Sequence, residues 1–308
     1  MQRTATQAAT PVRYRRPALY WVTGERGFLL PLLFLSPFLV FFAVFLLYPI
    51  GYGFYISLTR WDLLTDPQWV GLENYRRLLR DNLFEKSLRN TGLFVLLNVP
   101  LAVVIPLFLA VLVDHPILGR GLFRSIFTTP LMMSVTTVSL LWVWFLNPTF
   151  GLVNHYMGML GLPDRYWLNQ SPWALVAVVV TTVWWSTGFN LILFLAGLQD
   201  IPEDLYDAAK VDGAGPWSLF WNITLPGLRA TMLFVTATTI IGSFRVFGQV
   251  FVMTQGGPYD SSRTVVLHIY ETGFRNFRMG GASAAAWVLF MIVVVFTLVQ
   301  FRLLRERD

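Results

Sequence analysis

Six long apolar runs constrain the fold of this chain more than any other feature. Residues 27–59, 90–113, 125–163, 171–198 and 280–301 contain no Asp, Glu, Lys or Arg, and 230–254 contains only Arg245. A helix crosses the hydrocarbon core of a bilayer with about 20 apolar residues. Inside that core every backbone group must be satisfied within the protein. Only 13% of the residues are charged and 55% are hydrophobic, against roughly 25% charged in a soluble domain. A soluble enzyme and a disordered chain are both excluded. The expected class is an all-α integral membrane protein with about six transmembrane helices, over 28–56, 91–113, 125–146, 172–198, 230–254 and 280–301. Asn147-Pro148 ends the third span, and Ser171-Pro172 opens the fourth. The first run is read as a span and not as a cleavable leader, because it is too long and follows a largely polar stretch, 1–26.

The chain contains no Cys, so disulfides, thiolate metal sites and thiol catalysis are excluded. His115, His155 and His268 lie far apart in sequence and form no metal-ligand spacing. Lys86 and Lys210 are the only lysines, and neither lies in a P-loop pattern. The net charge of +6 comes mostly from Arg scattered between apolar runs. That pattern fits solvated membrane flanks and no nucleic-acid partner.

An even number of spans puts both termini on one side. Arg3, Arg13, Arg15, Arg16 and Arg26 precede the first span, and Arg302, Arg305 and Arg307 follow the last. This places both ends in the cytoplasm. Residues 1–26 are then a cytoplasmic tail and 27–308 the transmembrane domain. Two sizeable segments remain outside the spans. The external loop, 57–90, mixes charge with Trp61, Trp69, Tyr75 and Phe84. It is expected to form short amphipathic helices, as a docking surface for an external partner or as an interfacial cover for the span ends.

The cytoplasmic loop, 199–229, is more specific. Asp200 with Glu203 three residues on suits a helix start. Leu205, Ala208, Ala209 and Asp212 follow at helical spacing. Gly213 and Gly215 break that helix, Pro216 opens a second, and Pro226 is expected to end it. The picture is two short helices on a glycine turn, with surface to push against a partner and no chemistry of their own.

Asp207-Ala208-Ala209, three residues, Gly213, nine residues and Ile223-Thr-Leu-Pro226 resemble the EAA loop of permeases from binding-protein-dependent ABC importers. Asp207 stands where the pattern name has Glu. Val70-Gly-Leu-Glu-Asn-Tyr75, Arg124-Ser-Ile-Phe-Thr-Thr-Pro130, Gly151-Leu-Val-Asn154 and Thr254-Gln-Gly-Gly-Pro258 look like the carbohydrate branch of that family, of the maltose/glycerol-phosphate first-permease type. The resemblance implies a type I importer fold in the cytoplasmic (inner) membrane of a bacterium or archaeon. It implies four kinds of partner: a second homologous permease, two ATPase subunits, an external solute-binding protein and the lipid bilayer. It also implies that the loop docks on an ATPase through Glu203, Asp207, Ala208, Ala209, Gly213, Ile223 and Pro226. The chain itself would need no cofactor and would not be an enzyme, Mg-ATP being used by the partner subunits.

Arg245 is the one charge inside a span. A cation near the bilayer centre costs about 2.5–3.5 kcal/mol on insertion scales. It either lines a polar path or snorkels to the surface. On a continuous helix Arg245 and Gln249 would share a face, with Ser243 nearby. Trp185, Ser186, Phe189 and Asn190 form a second mixed patch in the fourth span. Aromatic rings cover sugar C–H faces while polar groups take hydroxyls. The resemblance points to the same two spans for the substrate path, carrying a carbohydrate or a polyol phosphate such as glycerol phosphate. A secondary transporter driven by an ion gradient would use intramembrane carboxylates. All 17 acidic residues fall outside the runs. A membrane-embedded enzyme would need a nucleophile with a base or a metal cluster, and His155 with Asp164 offers neither.

Overall fold

The computed structural model describes residues 29–114 and 119–305. The 1–26 tail and His115 lie outside the described residues. The described residues divide between Gly53 and Phe54 into two contact units.

α1 (Leu29–Phe42) passes through a π-helical turn at Ala43–Leu47 into α2 (Tyr48–Ser57), and the division between the units falls within α2. Residues Leu32–Ser57 are long and apolar enough to span a bilayer, and nothing in their most apolar window is buried. In water such a surface would aggregate, whereas lipid is its natural solvent.

In the second unit the expected loop 57–90 contains a two-residue antiparallel ladder as well as helix. β1 (Thr59–Arg60) pairs with β2 (Gln68–Trp69), Thr59 opposite Trp69. Between them the Asp62 carboxylate accepts from the Thr65 hydroxyl at 2.7 Å and from the Thr65 and Leu64 amides. These bonds, led by the hydroxyl, hold Asp62 below its ordinary pKa. α3 (Glu73–Leu78) follows. Its Asn74 amide donates to the Ser57 and Thr59 carbonyls at 2.8 Å each.

α4 (Asn82–Asp114) begins well before the apolar run that marked it. It packs along α8 (Trp173–Gln199), and the two form the axis of the unit. Between them in sequence come α5 (Arg120–Thr128), α6 (Val135–Phe145) and α7 (Leu152–Met159). The third span, read from the sequence over 125–146, is not one helix: α5 with its 3₁₀ turn, Thr129–Met132, and α6 form a pair bent by 106°. Pro130 removes a helical donor. Met133 and Ser134 are extended, and the Ser134 hydroxyl caps α6 by accepting from the Thr137 amide at 3.2 Å.

After α8 come α9 (Glu203–Val211), α10 (Pro216–Leu219), a π-helical turn at Phe220–Thr224, and α11 (Leu225–Gly227). α12 (Arg229–Phe244) leaves this group at 67°. α13 (Gly248–Met253), α14 (Val265–Tyr270) and α15 (Met279–Arg305) complete the chain. Among the described residues four helices are long and apolar enough to span a membrane, or six if each bent pair counts as one.

Three apolar clusters hold the second unit together. One joins α4, α8 and α13 through Phe94, Val178 and Val250. A second joins α4, α8 and α12 through Leu107, Phe194 and Val235. The third joins α3, α4, α12, α14 and α15 through Leu78, Phe84, Phe244, Val265 and Ala285. In lipid this packing acts through close contact and not through expulsion of water. Gly188 illustrates it: a Cβ there would sit 2.5 Å from the Phe127 carbonyl oxygen, so only glycine lets α8 touch the third-span bend.

Candidate functional site

A cavity of about 350 Å³ lies where α4, α6, α8, α12 and α13 meet. Trp185, Ser186, Phe189, Asn190, Ser243, Arg245 and Gln249 all line it. The structure thus brings together both sequence patches in one place. The expected helical relation between Arg245 and Gln249 is corrected, because α12 ends at Phe244 and α13 starts at Gly248. The two side chains share the cavity across a break in the helix and not along one face.

The break has a definable chemistry. The Arg245 and Val246 amides turn back tightly onto Gly242 and Ser243. Phe247 adopts φ −141° and ψ −57°, outside the helix. The Val246 carbonyl, freed by the break, accepts from the Thr264 hydroxyl at 3.1 Å. The Val265 amide donates in turn to the Thr91 hydroxyl at 3.0 Å. Irregular backbone at membrane depth survives only where such partners replace the lost helical bonds.

The floor of the cavity is a polar network. The Asn98 amide donates to the Ser243 hydroxyl at 2.9 Å, and that hydroxyl donates to the Thr239 carbonyl at 2.7 Å. The Asn190 amide donates to the Ala102 carbonyl at 2.7 Å. Asn98 is 3% exposed, and its carbonyl oxygen has no partner. On the wall, the Trp185 indole donates to the Met133 carbonyl at 3.2 Å, tying α8 to the bend of the third span. Phe189 is 44% exposed, and Arg245 is exposed as well.

Sequence reasoning missed Asn98, Thr182, Thr238, Thr239 and Phe247. Asn98 had a signal, as the one Asn inside the apolar run after Asn90. The threonines had none, because their hydroxyls can bond to their own helix backbone.

The 199–229 segment forms the second feature. Pro202, not Asp200, precedes the first turn of α9, and Asp200 instead caps the end of α8. Gly213 has φ +82° and turns the chain, and Gly215 precedes α10. Pro226 lies inside α11 and does not terminate the run, which ends at Gly227. The Tyr206 and Thr224 hydroxyls, 3.0 Å apart, fasten the two halves together.

Glu203 and Asp207 line a cleft of about 740 Å³ with Asp114, Arg120 and Lys210. Asp207 pairs with Lys210 at 3.0 Å, both well exposed, so this pair adds little stability. Ala208, Gly213 and Pro226 are exposed and Ala209 is half-buried, all outside the cleft lining. Ile223 packs inward on the second apolar cluster. Val211 is 88% and Trp217 74% exposed, with Trp217 against the Phe220 and Trp221 rings.

Comparison with known proteins agrees with this architecture. Residues 90–307 match the family described as binding-protein-dependent transport system inner membrane component. The lactose transport system permease protein of Rhizobium radiobacter is 34% identical, over 89% of this chain and 94% of its own. The sn-glycerol-3-phosphate transport system permease protein of Pectobacterium atrosepticum is 30% identical, over 90% of this chain and 95% of its own. A chain in the crystal structure of a bacterial alginate ABC transporter, in complex with an alginate pentasaccharide-bound periplasmic protein, superposes with a TM-score of 0.82. It is 25% identical, over 94% of this chain and 98% of that one. The chain belongs to the inner-membrane permease family of binding-protein-dependent ABC importers.

Proposed function

We propose that this permease moves a carbohydrate that an external binding protein delivers, as one half of a permease pair driven by two ATPase subunits. The observation that carries the substrate class is the cavity. It sets Trp185, Phe189 and Phe247 beside Asn98, Ser186, Asn190, Thr239, Ser243 and Gln249. Rings of this kind cover the C–H faces of a sugar, and the polar groups take its hydroxyls. Relatives named for lactose and sn-glycerol 3-phosphate, and the alginate transporter, support the same class. A polyol phosphate is the second reading, favoured by Arg245 in the lining. The ion-coupled reading loses ground, since the cavity lining holds no Asp or Glu.

In this reading both termini and 199–229 face the cytoplasm, while 57–90 and 255–279 face outward. Glu203, Asp207, Ala208, Ala209, Gly213, Ile223 and Pro226 form or support the contact with the ATPase. The exposed Val211 and Trp217 gain cover when it docks. ATP-driven closure of the ATPases pushes on this segment. The Tyr206–Thr224 link keeps its halves moving as one body. The push reaches α8 and α12, the helices that flank the segment and wall the cavity. The chain supplies no catalytic group and needs no cofactor, and Mg-ATP is hydrolysed by its partners.

Purification of the tagged chain from native membrane in mild detergent tests this directly. A second permease and an ATPase are expected to come with it. A chain that emerges alone across several detergents contradicts the assembly.

A further inference from the structure

We infer that the cavity selects anionic carbohydrates and that Arg245 is the residue that recognises their acidic group. The inference rests on the carbohydrate reading above and narrows it.

Arg245 is the only charged residue in the cavity lining. Among the described residues its guanidinium has no ion pair and no hydrogen bond. Its neighbours Phe244 and Val246 are 3% and 5% exposed, while Arg245 is exposed. The backbone is therefore clamped on both sides, and the charged side chain is the part turned outward. The Thr264 hydroxyl on the Val246 carbonyl fixes this segment further. A flexible surface arginine has no such anchorage.

A guanidinium cannot shed its proton at any physiological pH. Left unpaired at membrane depth, it carries an electrostatic cost that a structural role does not repay. An entering anion removes that cost. The planar fork of five donors matches a carboxylate, phosphate or sulfonate with two parallel bonds. A neutral sugar offers hydroxyls only, and those are weaker partners. Trp185 and Phe189 can hold the ring of the same ligand, while Gln249, 5% exposed, and Ser186 are available to its hydroxyls. The shared chemistry is an acidic group on a sugar-sized polyol, and the probes below separate its sources.

The test uses the whole transporter with its binding protein in proteoliposomes, reading internalised sugar. The probes are oligogalacturonides against their methyl esters, and glucose 6-phosphate against glucose. Each pair differs chiefly in charge. Wild type and Arg245→Gln are compared as the ratio of charged to neutral uptake, so that the binding protein's own preference cancels. The complex is sized by gel filtration to confirm assembly. Arg245→Gln should lower the ratio about tenfold or more, as loss of a charge-assisted bond predicts. Arg245→Lys should restore part of it.

An unchanged ratio in Arg245→Gln overturns the inference and leaves the carbohydrate reading standing. Uptake of neutral sugars alone by wild type does the same. Release of the second permease from the Arg245→Gln complex also overturns it, because Arg245 is then a contact between subunits. If wild type moves none of the four probes, nor any other sugar tried, the carbohydrate reading itself fails and this inference with it.

Discussion

Single residues set the conditions under which the cavity and the 199–229 segment can exist. Gly213 sits at φ +82° with open space around its missing Cβ. Gly213→Ala therefore meets no clash but costs about 1 kcal/mol or more of backbone strain. The expected outcome is an assembled complex whose transport falls several-fold, read as uptake per ATP hydrolysed. Full coupling with a bulky residue there would count against the segment's role. His268 gives a pH prediction. It is 3% exposed, with an unpartnered ring nitrogen and Phe84 alongside. Burial pushes its pKa below the usual 6.5, with Arg263 and Arg278 adding to the fall and Asp81 and Glu271 opposing it. The unfolded chain then binds more protons just below pH 6.5, so this group makes stability rise with pH through that window and fall as pH drops below it. The melting midpoint in detergent should fall on acidification to pH 5.5, and His268→Gln should flatten that slope. Arg245 was read as the one charge in an apolar run, whereas Asn98 carried a similar signal and was missed. Their convergence was not legible, because it depends on how three helices meet.

At the scale of elements, the apolar runs foretold where helix lies but not where it breaks. Residues 125–146 and 230–254 were read by their bounds alone, with Arg245 the one interruption, because hydropathy carries no record of which carbonyl finds a replacement donor. The structure turns at Met133–Ser134 and at Arg245–Phe247, and each turn is stabilised from a distant element. Trp185 donates to Met133 in the first case and Thr264 to Val246 in the second. Thr264→Val keeps the shape of the side chain and removes the donor. It should cost about 1–3 kcal/mol by leaving a buried carbonyl unpaired. The checks are a lower melting midpoint and a weaker substrate response; no change in either would show that the break stands without its cap. Gly188→Ala forces a Cβ to within 2.5 Å of the Phe127 carbonyl. Overpacking of this kind costs about 1–3 kcal/mol and should displace the bend that Trp185 holds. The strand pair Thr59–Arg60 with Gln68–Trp69 was missed because a two-residue ladder has no periodicity to read. In contrast, the helix–glycine–helix form of 199–229 was plain from Asp207-Ala-Ala, Gly213 and Pro216, since turn chemistry is local.

For the whole molecule, the cavity and the 199–229 segment are joined by the same two helices, α8 and α12. α8 runs from the cavity residues Trp185 and Asn190 to Gln199 beside the segment, and α12 runs back from Arg229 to Ser243. These helices pack through Leu191, Phe194, Leu198, Leu228 and Val235, so a displacement at one end has a stiff path to the other. The central claim is that ATP hydrolysis elsewhere is tied to carbohydrate in this cavity through 199–229. The most direct test is Mg-ATP hydrolysis by the purified complex in lipid nanodiscs, with and without the sugar-loaded binding protein. The same assay is run on a complex carrying Ala209→Trp in the segment. The account predicts hydrolysis that rises several-fold with the loaded binding protein in wild type and loses that response in Ala209→Trp. Hydrolysis indifferent to the loaded binding protein, or a response that survives Ala209→Trp intact, would contradict it.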